Sequence, residues 1–280
     1  MWSILIPTWN NLELLQHCLK YLDKYTQHPY EVILHINEGN DGTLKWVQDQ
    51  GIRHTHSPDN IGICRALNQI ASLARYPYLV YLNDDMVCLP GWDNALKDAI
   101  EGLDTDAFML SGTMIEPIVS GNACALVGNF GRDPESFQET ALIHALPQLL
   151  LPNWYGSTWP PTVVHRSWWD RVGGYSLEFS PGMSSDNDFS RKMWAAGCRI
   201  FLGIGASRVY HFMSKSTGKV KRNDGRRQFL DKWGITQSTF DRHYLRRGLP
   251  AQTIRLSEPS LTPGLLFDRG RSFLKRWLGL

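Results

Sequence analysis

The sequence of 280 residues lacks the usual marks of a secreted or membrane-spanning protein. No charged segment precedes its first apolar run, and no stretch approaches the roughly 18 apolar residues of a membrane span. Its five cysteines are scattered and form no CxxC pair, which argues against a zinc ribbon and against a disulfide framework. We therefore expect a cytoplasmic protein, either free or peripheral at the inner face of a membrane.

The common nucleotide-binding fingerprints are also missing. The sequence contains neither the GxGxxG of a dinucleotide-binding domain nor a Walker loop, which counts against NAD-dependent enzymes and P-loop ATPases. A hydrophobic fraction of 42% and a charged fraction of 20% exclude a disordered or fibrous protein.

The charge is nearly balanced over the whole chain but not along it. Residues 219–280 carry 14 Lys and Arg against five Asp and Glu, so the rest of the chain is acidic. A basic end of this kind favours an anionic partner, such as phosphate, nucleic acid or lipid headgroups. A solvated basic surface is the alternative.

The apolar spacing of the first hundred residues alternates between strands and helices. β-Prone runs at 2–6, 32–36, 52–56 and 78–82 are separated by segments with helical spacing. This alternation predicts βαβ units and a parallel sheet. Asn10 or Asn11 is the expected cap of the first helix.

The pattern breaks between about 103 and 166 and then resumes. A helix is predicted from Ser184 or Ser185 to the residue before Gly197. A pair of strands at 200–202 and 207–212, a short helix at 226–233 and a separate terminal helix should follow.

The sharpest local feature is Asn83-Asp84-Asp85, directly after a strand predicted to be buried. In an open parallel sheet, ligands bind outside the carboxyl ends of the strands. Two adjacent carboxylates there repel each other unless a cation or a polar network holds them, and Mg²⁺ or Mn²⁺ binds such oxygens together with substrate phosphates. The alternative is an Asx-rich turn that caps the next helix.

Two further loops follow the first and the third predicted strands. Pro7-Thr8-Trp9-Asn10 offers an indole ring and two hydrogen-bonding side chains, although such a segment is often only a turn. Asp59-Asn60-Ile61-Gly62 opens a helix, whose free N–H groups favour anions or polar ligands.

These motifs, in this order, resemble the inverting glycosyltransferases of family 2. The resemblance covers roughly residues 2–100 and 162–213 and rests on SILIPTWN, NEGNDGT, DNIGICRALNQI, YLNDDM, VVHRSWWDRVGGYSLEF, SSDNDFSRKMWAAGCRI and SRVYHF. It implies an α/β protein with a GT-A-type, Rossmann-like central sheet, mostly parallel and flanked by helices, and a basic C-terminal helical extension. The implied catalytic domain is 1–213, with a nucleotide-sugar-binding half at 1–102 and an acceptor-side half at 103–213, and the extension is 214–280.

The family pattern also implies roles for single residues. Asp85 matches the last acid of the metal motif and would bind Mn²⁺ or Mg²⁺ on the nucleotide diphosphate. His211 matches the histidine that completes the metal site in many relatives, with a purely structural strand-end histidine as the alternative. Asp186 matches the catalytic base. The residues expected to contact the donor are Pro7, Thr8, Trp9, Asn10, Asn37, Glu38, Asn60, Gly62, Asn68, Asn83 and Asp84.

The sequence departs from the family pattern at two positions. Ser185 replaces the usual Glu beside the base, and Ile36 stands where many relatives have the Asp that reads the nucleobase. Asn37 or Glu38 is expected to take over that second task.

The acceptor side is expected to involve Trp154, Trp159 and Asp188. Flat indole rings suit the apolar face of a sugar, although the tryptophans equally suit a core. Asp186 and Asp188 lie about 200° apart around a helix, so only one of them can face a given pocket. The helix N-terminus should favour the ionised form of Asp186.

The implied reaction moves a sugar from a nucleotide-diphosphate sugar to a saccharide or a lipid-linked saccharide, in surface glycan assembly, with no nucleic acid involved. One alternative is a sugar nucleotidyltransferase, which should carry a glycine-rich first loop that PTWNN does not provide. Another is a catalytically silent carbohydrate-binding or scaffold protein on the same fold.

The basic end contains two elements of interest. The loop 215–222 is expected to fold over the diphosphate or to be a solvated loop. In the terminal helix, Leu266, Phe273, Trp277 and Leu280 share one side, flanked by Arg and Lys, as in helices that lie on anionic membranes. The alternative is that this face docks on the body or on a second subunit, and the oligomeric state stays open.

Overall fold

The computed structural model describes residues 1–214 and 223–279. In these residues ten strands form a single sheet in the order β3-β2-β1-β4-β9-β6-β10-β5, with β7 beside β6 and β8 beside β10. The strands are β1 Trp2–Trp9, β2 Tyr30–Asn37, β3 His54–Ser57, β4 Tyr78–Tyr81, β5 Met86–Cys88, β6 Phe108–Glu116, β7 Ala125–Val127, β8 Trp154–Tyr155, β9 Thr162–His165 and β10 Ile200–His211.

The sheet is mostly parallel, as predicted. Strands β1, β2, β3 and β4 run parallel to one another, and β6 runs parallel to β7 and β10. Strands β5, β8 and β9 are the antiparallel members. Both faces of the central strands are covered, and all nine residues of β6 are buried, including Ser111, Thr113 and Glu116.

Helices flank the sheet. They are α1 Leu12–Tyr25, α2 Thr43–Asp49, α3 Gly62–Ala71, α4 Trp92–Glu101, α5 Glu139–Ala145, α6 Arg166–Val172, α7 Ser185–Ala195, α8 Gly225–Trp233, α9 Gln237–Thr239 and α10 Pro263–Leu278. Helix α3 packs on β1 and β2, whereas α4 packs on β6 and β10. Within α3, Leu67 and Ile70 are fully buried, which is the helical spacing that the sequence shows.

The first helix is not capped by an asparagine side chain. Asn11 occupies the N-cap position of α1 without a side-chain hydrogen bond. Instead Asp41 accepts from the amide of Leu12 at 2.8 Å and from the amide of Thr43 at 3.1 Å. One carboxylate therefore serves the starts of both α1 and α2, where the negative charge is favourable for the helix dipoles.

Two later elements also differ from the prediction. Residues 200–212 do not form a pair of strands, because β10 runs continuously from Ile200 to His211 with an irregularity between Ile204 and Arg208. Ser184 is the N-cap residue of α7, but its hydroxyl donates to Gln237 and not to the helix.

The C-terminal part packs on the body. Phe229, Phe240 and Leu265 are fully buried and belong to the same core as the sheet residues. The terminal helix exists as predicted, but it is not separate. Among residues 1–214 and 223–279, no helix combines the length and the apolar character needed to cross a membrane.

Candidate active site

A cavity of about 470 Å³, the first cavity, lies at the carboxyl ends of β1, β2 and β4. Parallel strands bring their carboxyl ends to one edge of a sheet, which explains why motifs far apart in sequence meet there. The predicted metal ligands Asp85 and His211 and the predicted base Asp186 all line it. Of the eleven predicted donor contacts, eight line it as well, namely Pro7, Thr8, Trp9, Asn37, Asn60, Gly62, Asn83 and Asp84.

The amides at the start of α3 do not provide the free anion site that was expected. Asn37 accepts from the amide of Ile61 at 2.9 Å, and Asn60 accepts from the amide of Gly62 at 2.9 Å. These side chains cap the backbone that a ligand was expected to meet. Gly62 has a φ of +75°, and a Cβ there would lie 2.8 Å from the Cα of Pro181, so glycine allows the two cavity walls to touch.

Three predicted donor contacts do not line the first cavity. The Asn10 amide donates to the Glu38 carboxylate at 2.8 Å, so these two side chains bind each other and do not line the cavity. Asn68 lies in α3 and forms two hydrogen bonds of 2.8 Å with the backbone of Tyr175. Of the two candidates for reading a nucleobase, Asn37 lines the cavity and Glu38 does not.

The adjacent carboxylates Asp84 and Asp85 have opposite pKa shifts. Burial, helped by the charge of Asp85, raises the pKa of Asp84 to about 7, and the Thr8 hydroxyl donates to it at 2.7 Å. Burial would also raise the pKa of Asp85, but the charge and hydrogen bond of His211 outweigh it and lower that pKa. Asp85 is therefore the ionised member of the pair at neutral pH.

His211 lies between two carboxylates. Its Nε2 is 3.4 Å from Oδ2 of Asp85, and its Nδ1 is 3.2 Å from Oε1 of Glu116. Strand β5, which follows Asp85 directly, pairs with β10 so that His211 is opposite Met86. Burial favours the neutral ring, but the two carboxylates prevail and raise the pKa of His211 to about 9.

Asp85 and His211 fit a divalent cation that also binds a substrate. Two neighbouring ligands of an octahedral Mg²⁺ lie about 3 Å apart, close to the separation of the carboxylate oxygen and the ring nitrogen here. Within the described residues, no group of three or more His, Cys, Asp and Glu side chains is arranged to hold a metal ion. A cation held by Asp85 and His211 would need further ligands from a substrate or water, as is common for Mg²⁺.

Asp186 is held by a buried tyrosine. The Tyr175 hydroxyl donates to Oδ1 of Asp186 at 2.8 Å, and the Tyr175 ring stacks on Phe189 at 4.9 Å. Burial raises the pKa of Asp186 to about 7 against the lowering effect of that hydrogen bond. The expectation that the helix N-terminus keeps this carboxylate readily ionised is wrong, because burial outweighs the helix dipole.

Asp188 offers no surface to an acceptor, contrary to the expectation. It is fully buried. The Trp233 indole donates to Oδ1 at 2.8 Å, the Lys232 ammonium lies 2.9 Å from the same oxygen, and the Ser176 hydroxyl donates to Oδ2 at 2.6 Å. Asp188 joins α7 to α8, and only Asp186 faces the cavity, as the helix geometry requires.

A second cavity, of about 330 Å³, adjoins the first. Asp186 and His211 line both, and the second also contains Met86, Met114 and Glu116. Trp159 lines it, while Trp154 does not. The Trp154 ring is buried against Gly203, where no Cβ would fit, and its indole donates to Thr113 at 3.1 Å. Trp154 is therefore a core residue, and its assignment to an acceptor was wrong.

Sequence reasoning missed two residues of this site. Glu116 ends β6 as an acid at a strand terminus, which is the signal that drew attention to Asp85. Tyr175 lies within a motif of the family resemblance, but its bond to Asp186 depends on the fold. The loop 215–222, expected over the diphosphate, falls outside the described residues.

The family model for glycosyl transferase family 2 matches residues 3–122. A comparison with curated proteins gave no significant match.

Solved structures of S. aureus TarS are similar in fold. TarS 1–349 in complex with UDP-GlcNAc has a TM-score of 0.58 and 13% identity, over 100% of this chain and 73% of that one. TarS 1–349 in complex with UDP has a TM-score of 0.53 and 15% identity, over 75% of this chain and 59% of that one. The chain thus spans less than two thirds of the second structure. Residues 3–122 match the glycosyl transferase family 2 model, and the chain has a GT-A-type α/β fold.

Proposed function

We propose that this protein is an inverting glycosyltransferase that uses a divalent cation, Mn²⁺ or Mg²⁺, to move a sugar from a nucleotide-diphosphate sugar to a hydroxyl acceptor. The observation that carries the proposal is that Asp186 lines two adjoining cavities, one of which also contains the Asp85–His211 pair. The family match and the UDP and UDP-GlcNAc complexes of TarS support a nucleotide-sugar as the donor class.

The first cavity is the proposed donor site. Thr8, Trp9 and Asn37 line the part formed by β1 and β2, and they would contact the nucleoside. Asn83 and Asp84 follow β4 and would lie by the ribose and the donor sugar. Asp84, with a pKa of about 7, can donate or accept a hydrogen bond near neutral pH.

Asp85 and His211 are the proposed cation ligands. A bound cation would neutralise charge on the diphosphate as the bond to the sugar breaks. Glu116 accepts from Nδ1 of His211 and thereby directs Nε2 toward Asp85, a second-sphere arrangement that fixes the ring of a metal-binding histidine. The pKa of about 9 means that His211 must release a proton before Nε2 can bind a cation.

Asp186 is the proposed general base. Its Oδ1 is held by Tyr175, while Oδ2 has no hydrogen-bond partner in the part of the chain that the structure describes. Oδ2 would take the proton of the acceptor hydroxyl. The acceptor oxygen would then attack the sugar carbon from the side opposite the departing nucleoside diphosphate, which inverts the configuration at that carbon. A pKa of about 7 suits proton transfer at neutral pH.

The second cavity is the proposed acceptor site. Trp159 offers an indole ring, and Met86 and Met114 supply apolar surface beneath it. The guanidinium of Arg247 lies 4.6 Å from the Trp159 ring, which fixes the orientation of the indole. This combination suits a saccharide or the saccharide end of a lipid-linked acceptor, in the assembly of a surface glycan.

Incubation of the full chain with a panel of nucleotide-sugars and Mn²⁺ tests the proposal. We expect slow release of nucleoside diphosphate from one member without an acceptor, and none with the Asp186→Asn variant. Binding of nucleotide-sugars without any turnover would instead support the silent scaffold. Formation of a nucleotide-sugar from a sugar 1-phosphate and a nucleoside triphosphate would support the nucleotidyltransferase.

A further inference from the structure

Helix α10 rests on the body through a narrow, mostly polar face. Leu265 and Ser272 are fully buried, and the Ser272 hydroxyl accepts from the amide of Thr236 at 3.1 Å. Asp268, the single acid of α10, turns to the same side and contacts His243 at 2.9 Å. The alternative that the apolar face of this helix docks on the body is therefore wrong.

The apolar residues of α10 point into solvent instead. Six large side chains are 55–77% exposed, namely Leu266, Phe267, Phe273, Leu274, Trp277 and Leu278. At 100° per residue they occupy an arc of about 140°, on the side of the helix that faces away from Leu265 and Ser272. Scattered apolar residues on a surface need no explanation, but a continuous strip of this size marks an interaction site.

Cationic side chains border the strip on both sides. Arg269 and Arg276 lie along one edge of the exposed arc, and Arg271 and Lys275 lie along the other. An apolar face between two rows of cations matches a bilayer interface, where acyl chains take the apolar side chains and anionic headgroups meet the Arg and Lys. With 16 residues and four cations, α10 suits a position in the plane of the interface.

A second copy of the chain matches this face less well. Two α10 helices packed strip against strip would bring cationic edges together, and Asp268 is already paired with His243 and Arg242. Like charges would then face each other without an acid of α10 between them. An anionic surface relieves this repulsion.

The helix also contacts a segment that reaches the wall of the first cavity. Arg227 in the first turn of α8 donates to the carbonyl of Arg276 at 3.3 Å. Just before α8, Asn223 accepts from the amide of Met183, a residue of the cavity wall, at 3.1 Å. Two hydrogen bonds and the start of α8 thus link the exposed helix to the wall of the first cavity.

We propose that α10 is a membrane-interface helix that binds anionic lipid bilayers and holds the first cavity beside the lipid surface. This inference rests on the exposed strip and its cationic edges, and it does not depend on the proposed transfer reaction. Failure of turnover would leave it standing.

Co-sedimentation of the full chain with vesicles tests the proposal. The vesicles are phosphatidylcholine alone or a mixture with phosphatidylglycerol, at low salt. We expect the protein to pellet with the anionic vesicles and much less with the neutral ones. Because both replaced side chains are exposed, Phe273→Ser with Trp277→Ser should keep the fold and lower binding at least about tenfold. Val119→Ser with Leu150→Ser replaces two equally exposed apolar residues elsewhere and should change nothing.

A charge variant and a measurement of mass complete the test. Arg271→Gln with Lys275→Gln should weaken binding to anionic vesicles and leave the weak binding to neutral vesicles unchanged. Full-length protein that stays in the supernatant with anionic vesicles would overturn the proposal. So would a dimer, detected by light scattering, that the Phe273/Trp277 variant dissociates, because the strip would then be an interface between copies.

Discussion

The two cavities that meet at Asp186 differ in the side chains that line them. The first is bounded by the ends of three parallel strands and holds a network of charges, in which His211 compensates Asp85. The second has an indole and two methionines among its lining, and its one further carboxylate, Glu116, is tied to His211. The first cavity is therefore the charged side of the site, and Trp159, Met86 and Met114 make the second its apolar side, although Asp186 and His211 line both. Substitutions of residues that line only one cavity, such as Asp85 and Trp159, should have separable effects on the donor and on the acceptor.

The largest effect is expected on the charged side. Asp85→Asn keeps the size of the side chain but removes the anion that holds His211 and the proposed cation. We expect turnover of the donor to fall by at least about 10³-fold, because both donor binding and stabilisation of the leaving diphosphate are lost. Steady-state release of nucleoside diphosphate, at saturating Mn²⁺, measures it. Near-normal turnover would show that the two cavities do not differ in this way.

Asp186→Asn should affect turnover alone. The substitution is nearly isosteric and retains an acceptor oxygen for Tyr175, so donor binding should be unchanged while kcat falls by roughly 10²–10⁴-fold. Calorimetric titration of the nucleotide alongside kinetics separates the two quantities. Loss of nucleotide binding in this variant would show that Asp186 binds the donor and is not the base. Near-normal kcat in Asp186→Asn would likewise exclude Asp186 as the base.

The pH profile should report the same carboxylate. A base must be ionised to act, so at saturating Mn²⁺, where His211 has already released its proton, kcat/KM should rise with pH and level off above about 7, following the pKa of Asp186. Tyr175→Phe removes the hydrogen bond that lowers this pKa, and the midpoint should therefore move to higher pH. A profile whose midpoint is identical in the wild type and in Tyr175→Phe would separate the observed titration from Asp186.

A change on the apolar side should be smaller and specific to the acceptor. Trp159→Ala removes the ring that lines the second cavity, and loss of one stacking contact corresponds to about a tenfold rise in the acceptor KM. The KM for the donor should not move. Trp154→Phe serves as the comparison, because its ring is buried against Gly203 and its effect should appear in stability. A raised donor KM in Trp159→Ala would argue that the two sites are not separate.

The smallest expected effects concern stability. Asp188→Asn leaves Lys232 and Trp233 with a weaker partner and should lower the free energy of unfolding by about 1–3 kcal/mol. The ionised form of Asp186, by contrast, destabilises the fold. Its raised pKa means that the folded chain binds more protons than the unfolded chain between about pH 4 and 7. Wild-type stability should therefore fall as the pH rises over that range. Asp186→Asn should make the fall smaller without removing it, because the pKa of Asp84 is also raised to about 7. Urea unfolding at several pH values measures both.

The charged side was largely predictable because its residues end strands that alternate with helices in simple order. Each βα loop of a parallel sheet opens at the same edge, so Thr8, Asn37 and Asp85 meet whatever the details of packing. Burial and partners are harder to predict. From its motif, Asn68 was expected to contact the donor at this edge. It binds the Tyr175 backbone instead, 107 residues away in the sequence.

The apolar side was predicted less well, because the apolar residues between 103 and 166 follow neither helical nor strand spacing. Trp154 and Trp159 are five positions apart and equally aromatic, but β8 buries the first against Gly203 while the second reaches the cavity. The exposed face of α10 was predictable as amphipathic. Only the buried contacts of Leu265 and Ser272 reveal that its apolar side faces outward.

Nucleotide binding with and without a cation tests the central claim most directly. UDP and GDP would be titrated calorimetrically into the full chain with Mn²⁺ and with EDTA, each in two buffers of different ionisation enthalpy. The arrangement of Asp85 and His211 predicts that one nucleotide binds at least about tenfold more tightly with Mn²⁺. Because His211 has a pKa of about 9, that binding should release protons at neutral pH. Equal affinity with Mn²⁺ and with EDTA would contradict the account.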